Sequence, residues 1–264
     1  MKLNQSISLS LAISCLLLSP LSQAQTDDGK GLEIAKATNA RDNGWGSLRA
    51  TMEMILENRA GKTSTRKIES RQLEVEGDGD KSLSLFKEPR DVNGTAMLTF
   101  SHGLDADDQW LYLPAIKRVK RISSKNKSGP FMGSEFAFED LGSQEVEKYT
   151  YKYLRDEACG HDMQCTVSER YPEYGNSGYT RQITWIDKDE YRPIKIEFYD
   201  RKDALLKTLD FSGYNEYNGY WRADKFVMQN HLTGKKTILN WSNYEIGVGL
   251  NENDFSQNAL KRLR

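Results

Sequence analysis

The chain has 264 residues, with 37 Lys and Arg against 38 Asp and Glu, three Cys and three His. A net charge of −1 excludes the basic footprint of a wholesale nucleic-acid binder, and 38% hydrophobic with 28% charged residues excludes a disordered or fibrous chain. So few Cys and His leave little room for a zinc module or an iron–sulfur site.

Residues 1–24 read as a secretory signal peptide. Lys2 is the only charge, an apolar run extends from Ile7 to Leu18, and Pro20, Ser22 and Ala24 follow, so cleavage is expected after Ala24. The run is too short to span a bilayer. A rival reading takes Ala12-Ile13-Ser14-Cys15 as a lipidation site. The continuing Leu16-Leu17-Leu18, and Ala12 where Leu is usual, argue against it. The mature chain keeps Cys159 and Cys165, expected to bridge in an oxidising compartment and to stabilise by roughly 2 kcal/mol. A redox pair is disfavoured because those are usually Cys-x-x-Cys at a helix start.

Apolar positions from Leu32 to Thr38, closed by Asn43-Gly44, predict a short helix over Gly31–Asp42. From Ser47 the period changes to two: Leu48, Ala50, Met52, Met54 and Leu56 alternate with polar or charged residues and Ile55 in the clearest strand of the chain. Strand-like runs follow at Arg66–Glu76, Lys81–Lys87, Thr95–Ser101, Gln109–Leu113 and Ile116–Ile122. Seven more lie at Glu147–Arg155, Cys165–Tyr171, Thr180–Asp187, Pro193–Tyr199, Leu205–Phe211, Trp221–Leu232 and Lys236–Tyr244. Turn signals such as Asn218-Gly219 and Thr233-Gly234 separate the later runs, which predicts an antiparallel meander in one domain, residues 25–264. A short helix capped by Asp254 closes the chain near Leu263.

Catalytic signatures are missing: no Gly-x-Ser-x-Gly, P-loop or His-Glu-x-x-His occurs. His102 with Asp105, Asp107 and Asp108 reads as a solvated loop before it reads as an acid–base set. No catalytic, cofactor or metal residue is assigned, and the chain is read as a non-enzyme. Two features stand out. The basic run Lys117, Arg118, Lys120, Arg121, Lys125 and Lys127 carries no acid, and reads either as a solvated edge or as a contact for a headgroup or an anionic partner. Beside it, the Gly/Pro-broken segment with Phe131, Met132, Phe136 and Phe138 is a candidate gate. With Met52, Met54, Trp110 and Tyr112 these residues form either a closed core or the wall of an apolar cavity, and periodicity does not separate the two.

The stretch Trp110-Leu111-Tyr112-Leu113-Pro114-Ala115-Ile116-Lys117-Arg118-Val119-Lys120-Arg121-Ile122, with Phe131-Met132-Gly133-Ser134 and Phe138-Glu139-Asp140-Leu141, resembles the LolA-like family of outer-membrane lipoprotein-sorting proteins. The opening helix with its strand and the Asp254-Phe255 end are similar at the level of pattern, over roughly residues 27–264. The resemblance implies a mainly β fold: a single antiparallel unclosed (half) β-barrel, with a few short helices covering the concave face. It implies a periplasmic carrier of lipid or acylated protein cargo, with an inner-membrane RND-type exporter and an outer-membrane acceptor as partners; the export signal disfavours nucleic acid as a partner. The Cys159–Cys165 pair and the greater length depart from the dedicated carriers, so no cavity residue is transferred by position. Two alternatives stay open: a docking or regulatory partner that carries no lipid, and an envelope hydrolase built on His102.

Overall fold

The computed structural model describes residues 26–160 and 162–262; the segment read as a leader, with Lys2, Cys15 and the expected cleavage after Ala24, and His161 lie outside the described residues. Helix α1 spans Asp27–Asp42, a turn longer than its apolar period alone predicts. Thr26 supplies the extra turn: its hydroxyl accepts from Gly29 N at 3.2 Å, and Asp27 and Asp28 sit at the positive end of the helix dipole.

Thirteen strands follow: β1 (Ser47–Glu57), β2 (Thr63–Leu73), β3 (Lys81–Glu88), β4 (Ala96–Phe100), β5 (Asp108–Leu113), β6 (Arg118–Arg121), β7 (Tyr149–Gly160), β8 (Met163–Pro172), β9 (Tyr179–Asp187), β10 (Pro193–Asp200), β11 (Leu205–Tyr217), β12 (Tyr220–Asn230) and β13 (Lys236–Ile246). They form one antiparallel sheet in the order β6-β5-β4-β3-β2-β1-β13-β12-β11-β10-β9-β8-β7. The edges β6 and β7 are neighbours in sequence yet do not pair, so the sheet is a barrel left unclosed, and residues 122–148 run between its edges. The β11–β12 turn is a two-residue hairpin in which Asn218 and Gly219 both take positive φ (50° and 87°), the geometry that matches strand twist.

Alternation sorts the sheet into two faces. Met52, Met54, Ile68, Phe86, Met97, Ile196, Phe198, Leu209, Met228 and Leu239 point inward and share one core with Phe131 and Phe136 of the connecting segment. On the outer face, Leu83, Leu85 and Leu98 are covered by Phe255 and Leu260. The covering helix α2 is only Gln257–Leu260, and its cap is Ser256, which accepts from Ala259 N at 3.0 Å. Asp254 instead ends a preceding 3₁₀ turn and caps back to Asn251 N at 2.9 Å, a correction to the expected helix start. The Cys159–Cys165 disulfide (Cα–Cα 5.7 Å) also packs outside, with Val167 and Trp185, and clips the β7–β8 hairpin. Among the described residues, no helix is long and apolar enough to cross a membrane.

Candidate functional site

The bore of the half-barrel has a filled end and an empty end. Residues 129–141 fill the first. Phe131, 1% exposed, packs its ring 5.8 Å from those of Phe86 and Phe138. The loop folds on itself through Phe131 N to Phe136 O (2.7 Å), and Met132 turns it with φ +49° while Arg66 holds the Met132 carbonyl. Its anchors are buried and charged. The Asp140 carboxylate accepts from Lys207 Nζ (2.6 Å), Tyr179 OH (2.8 Å) and Ala137 N (2.6 Å). Glu139 accepts from Ser177 Oγ and Gly178 N, both at 2.8 Å, and burial pushes its carboxyl up. Gln109 of β5 holds the Phe138 carbonyl at 2.8 Å. Moving this segment would strand Lys207 and Asp140 as buried, unpaired charges. In this structure the segment read as a gate is packed into the core and anchored by these pairs.

The empty end lies beneath α1, which crosses the edge strand β7 at Gly31. A Cβ at Gly31 would stand 2.9 Å from Tyr153 N and 3.0 Å from Lys152 N, so only glycine lets the helix approach this closely. Lys30 stacks on Tyr153 at 3.4 Å, and Arg41 pairs with Glu190 at 2.7 Å. Between α1 and the inner face is a cavity of about 1340 Å³. Its apolar lining includes Ile34, Ala35, Trp45, Phe211 and Phe226, and its polar wall Ser168, Arg170 and Thr184 from β8 and β9. At the rim, burial pushes the Asp80 carboxyl up to about 7, with Glu145, Glu74 and Asp42 adding to the shift against a hydrogen bond from Val75 N. Burial also raises Asp42, and its partner Arg222 opposes this.

None of the eight residues read as a cavity or gate lines this space. Met52, Met54, Phe131 and Phe136 lie in the packed core, and Met132 and Phe138 lie against it. Trp110 and Tyr112 face the other way, onto the outer cluster with Phe255, because Gln109 and Leu111 take the inward positions of β5. The basic run falls on the edge. Arg121 pairs with Asp108, and Lys127 stacks on Tyr174 at 3.8 Å, where burial lowers its pKa. Lys117, Arg118, Lys120 and Lys125 are exposed and carry no ion pair among the described residues, beside an Ile116 that is 56% exposed. His102 is a loop tie: Nδ1 meets Asp78 at 2.9 Å and Nε2 stands 3.6 Å from Asp108, while Asp107 is taken by the buried Lys148.

Residues 78–262 match a protein family described as "Uncharacterized protein". No curated protein matches the chain. Among solved structures, a domain from Vibrio parahaemolyticus described as that of an outer membrane lipoprotein-sorting protein is 60% identical, with TM-score 0.86 over 88% of this chain and 99% of that one. A DUF1329 family protein from Desulfovibrio piger is 32% identical, with TM-score 0.85 over 89% and 99%. A LolA superfamily protein from Nitrosomonas europaea shares the fold at 19% identity, with TM-score 0.70 over 87% and 98%.

Proposed function

The chain belongs to the LolA-like family of outer-membrane lipoprotein-sorting proteins, and from that premise we propose that it is a periplasmic carrier. It holds the acyl chains of a lipoprotein or lipid in the cavity under α1 and passes them towards the outer membrane. The observation that carries this reading is the cavity itself, about 1340 Å³ and lined in part by α1. Ordinary small-molecule sites are smaller, at roughly 300–1,000 Å³. Burying an acyl chain gains about 0.8 kcal/mol per methylene, so ten methylenes supply about 8 kcal/mol, near micromolar affinity. Such a carrier needs no covalent chemistry, and release requires only a more apolar acceptor or displacement of α1.

The family resemblance supports an inner-membrane exporter of the RND type as donor and an outer-membrane acceptor. We assign the unpaired cations Lys117, Arg118, Lys120 and Lys125 to contact with an anionic membrane surface during that hand-over. The packed plug around Phe131 is the one feature that favours the alternative, a docking partner without cargo. A cavity-filling variant separates the two. Ala35→Phe should abolish binding of a fluorescent fatty acid while the circular dichroism spectrum and Tm stay near wild type. A wild-type protein that binds no acyl probe would overturn the carrier.

A further inference from the structure

The cavity wall is chemically divided. Where α1 covers the bore, Phe211, Ala223 and Phe226 of β11 and β12 give an apolar side, with Tyr214, Trp221 and Arg222 beside them, whereas β8 and β9 present Ser168, Arg170 and Thr184, with Gln182 on the same inward face. Arg170 is only 9% exposed, yet its guanidinium has no carboxylate within ion-pair distance among the described residues. Nε and Nη2 donate to the neutral Gln182 Oε1 at 2.8 and 2.5 Å, and Nη2 also to Gln144 Oε1 at 2.8 Å. Nη1 donates to nothing among the described residues, and the guanidinium stacks on the Tyr149 ring at 4.4 Å. The cavity lining also carries acids, but none pairs with Arg170 among the described residues: Asp42 and Glu190 pair with Arg222 and Arg41, and Glu74, Asp80, Glu145 and Glu147 form no ion pair with it. The other deeply buried cations differ: Lys148 has Asp107 and Lys207 has Asp140.

Two residues before Arg170 on the same face of β8, Ser168 is 3% exposed and its Oγ has no hydrogen-bond partner. Thr38 Oγ1, on the α1 side of the same cavity, is also unpartnered. Buried charges are normally paired and buried hydroxyls normally satisfied. A cation met only by neutral amides and an aromatic ring, beside an unused hydroxyl, suits an anion that brings acceptor oxygens.

We infer that the cargo is an anionic amphiphile whose carboxylate or phosphate seats on Arg170 and Ser168, with its acyl chain along Phe211 and Phe226. This rests on the carrier reading and narrows it to an acid. Arg170 supplies the counter-charge through the free Nη1 edge, and Ser168 Oγ donates the second hydrogen bond. The neutral amides of Gln182 and Gln144 hold the guanidinium in place without neutralising it.

Calorimetric titration of the delipidated protein tests this with three ligands that share one acyl chain: palmitate, palmitoyl lysophosphatidate and neutral palmitoyl glycerol. At least one acid should bind about tenfold tighter than the neutral ligand, the gain expected of a charge-assisted hydrogen bond, and the preferred acid names the headgroup. Arg170→Gln should erase that preference, bringing the acid-to-neutral affinity ratio to about one, and Ser168→Ala should weaken acid binding about threefold. Equal wild-type affinities for acid and neutral ligands overturn this inference and leave the carrier standing. No binding of any of the three overturns the carrier itself. Should Arg170→Gln fail to fold, the wild-type ranking and Ser168→Ala still decide.

Discussion

Replacing Gly31 by alanine should reverse the sign that this substitution usually has in a helix. In a free helix Gly→Ala stabilises by roughly 1 kcal/mol. Here the new Cβ would lie 2.9 Å from Tyr153 N and 3.0 Å from Lys152 C and N, against main chain rather than a side chain able to swing away. That main chain is held in the β7–β8 ladder through the pairs Lys152↔Glu169 and Tyr153↔Ser168. The helix must therefore give way, loosening the Lys30–Tyr153 stack at 3.4 Å. Overpacking of this kind costs about 1–3 kcal/mol, which leaves a net loss of about 0–2 kcal/mol for Gly31→Ala and a larger one for Gly31→Leu. Urea denaturation reads the stability, and amide hydrogen exchange reads whether the loss is local to α1. Because α1 forms one side of the cavity, Gly31→Leu should also exchange a bound acyl probe faster. A Gly31→Ala protein more stable than wild type, with α1 amides equally protected, would refute the close-approach argument.

Lys207→Met should cost about 3–5 kcal/mol in urea melts, because it leaves the Asp140 carboxylate buried without its cation, and Asp140→Asn in the same chain should restore part of the loss. A cost near zero would mean that the plug is not pinned there. Asp80 titrates in the folded state near 7, above the roughly 3.9 of an unfolded Asp, so the native chain keeps a proton that the unfolded chain releases. Its contribution to stability therefore falls as pH rises from about 4 to about 7 and is flat above that. Asp80→Asn removes this slope, so its advantage over wild type should be larger at about pH 8 than at about pH 5, and an equal gap would contradict the assignment. Cys159→Ser with Cys165→Ser should lower stability by roughly 2 kcal/mol and leave acyl binding unchanged, since the bond lies on the outer face. Altered ligand affinity in that variant would place the hairpin in the site.

All thirteen strands fall on runs that alternation and turn residues mark in the sequence, because a half-buried antiparallel strand repeats every two residues whatever its partners. Which face is concave is not written in that repeat. In β3 to β5 both faces are apolar, with Leu83, Leu85 and Leu98 outside and Phe86, Met97 and Leu111 inside. Trp110 and Tyr112 therefore look like a cavity wall until the terminal Phe255 is seen to cover them. The polar side of the space under α1 is hidden for the converse reason. Ser168, Arg170 and Thr184 occupy the polar half of an alternating strand, which reads as solvent-facing, and only the curvature of the sheet turns them inward. The plug misleads for a third reason. Gly129, Pro130 and Gly133 signal a loop, but its anchors Tyr179, Lys207 and Thr237 are distant in sequence. Gly31 carried no signal beyond a helix start, since its role depends on a backbone that passes beneath it.

The central claim is that the space under α1 carries acyl cargo. Native mass spectrometry of the protein isolated from its native host, followed by organic extraction of what travels with it, tests this most directly. The account predicts a stoichiometric adduct that is an acidic lipid or acylated peptide and is lost in Ala35→Phe. A clean unliganded mass that stays clean after incubation with lipid vesicles would contradict it.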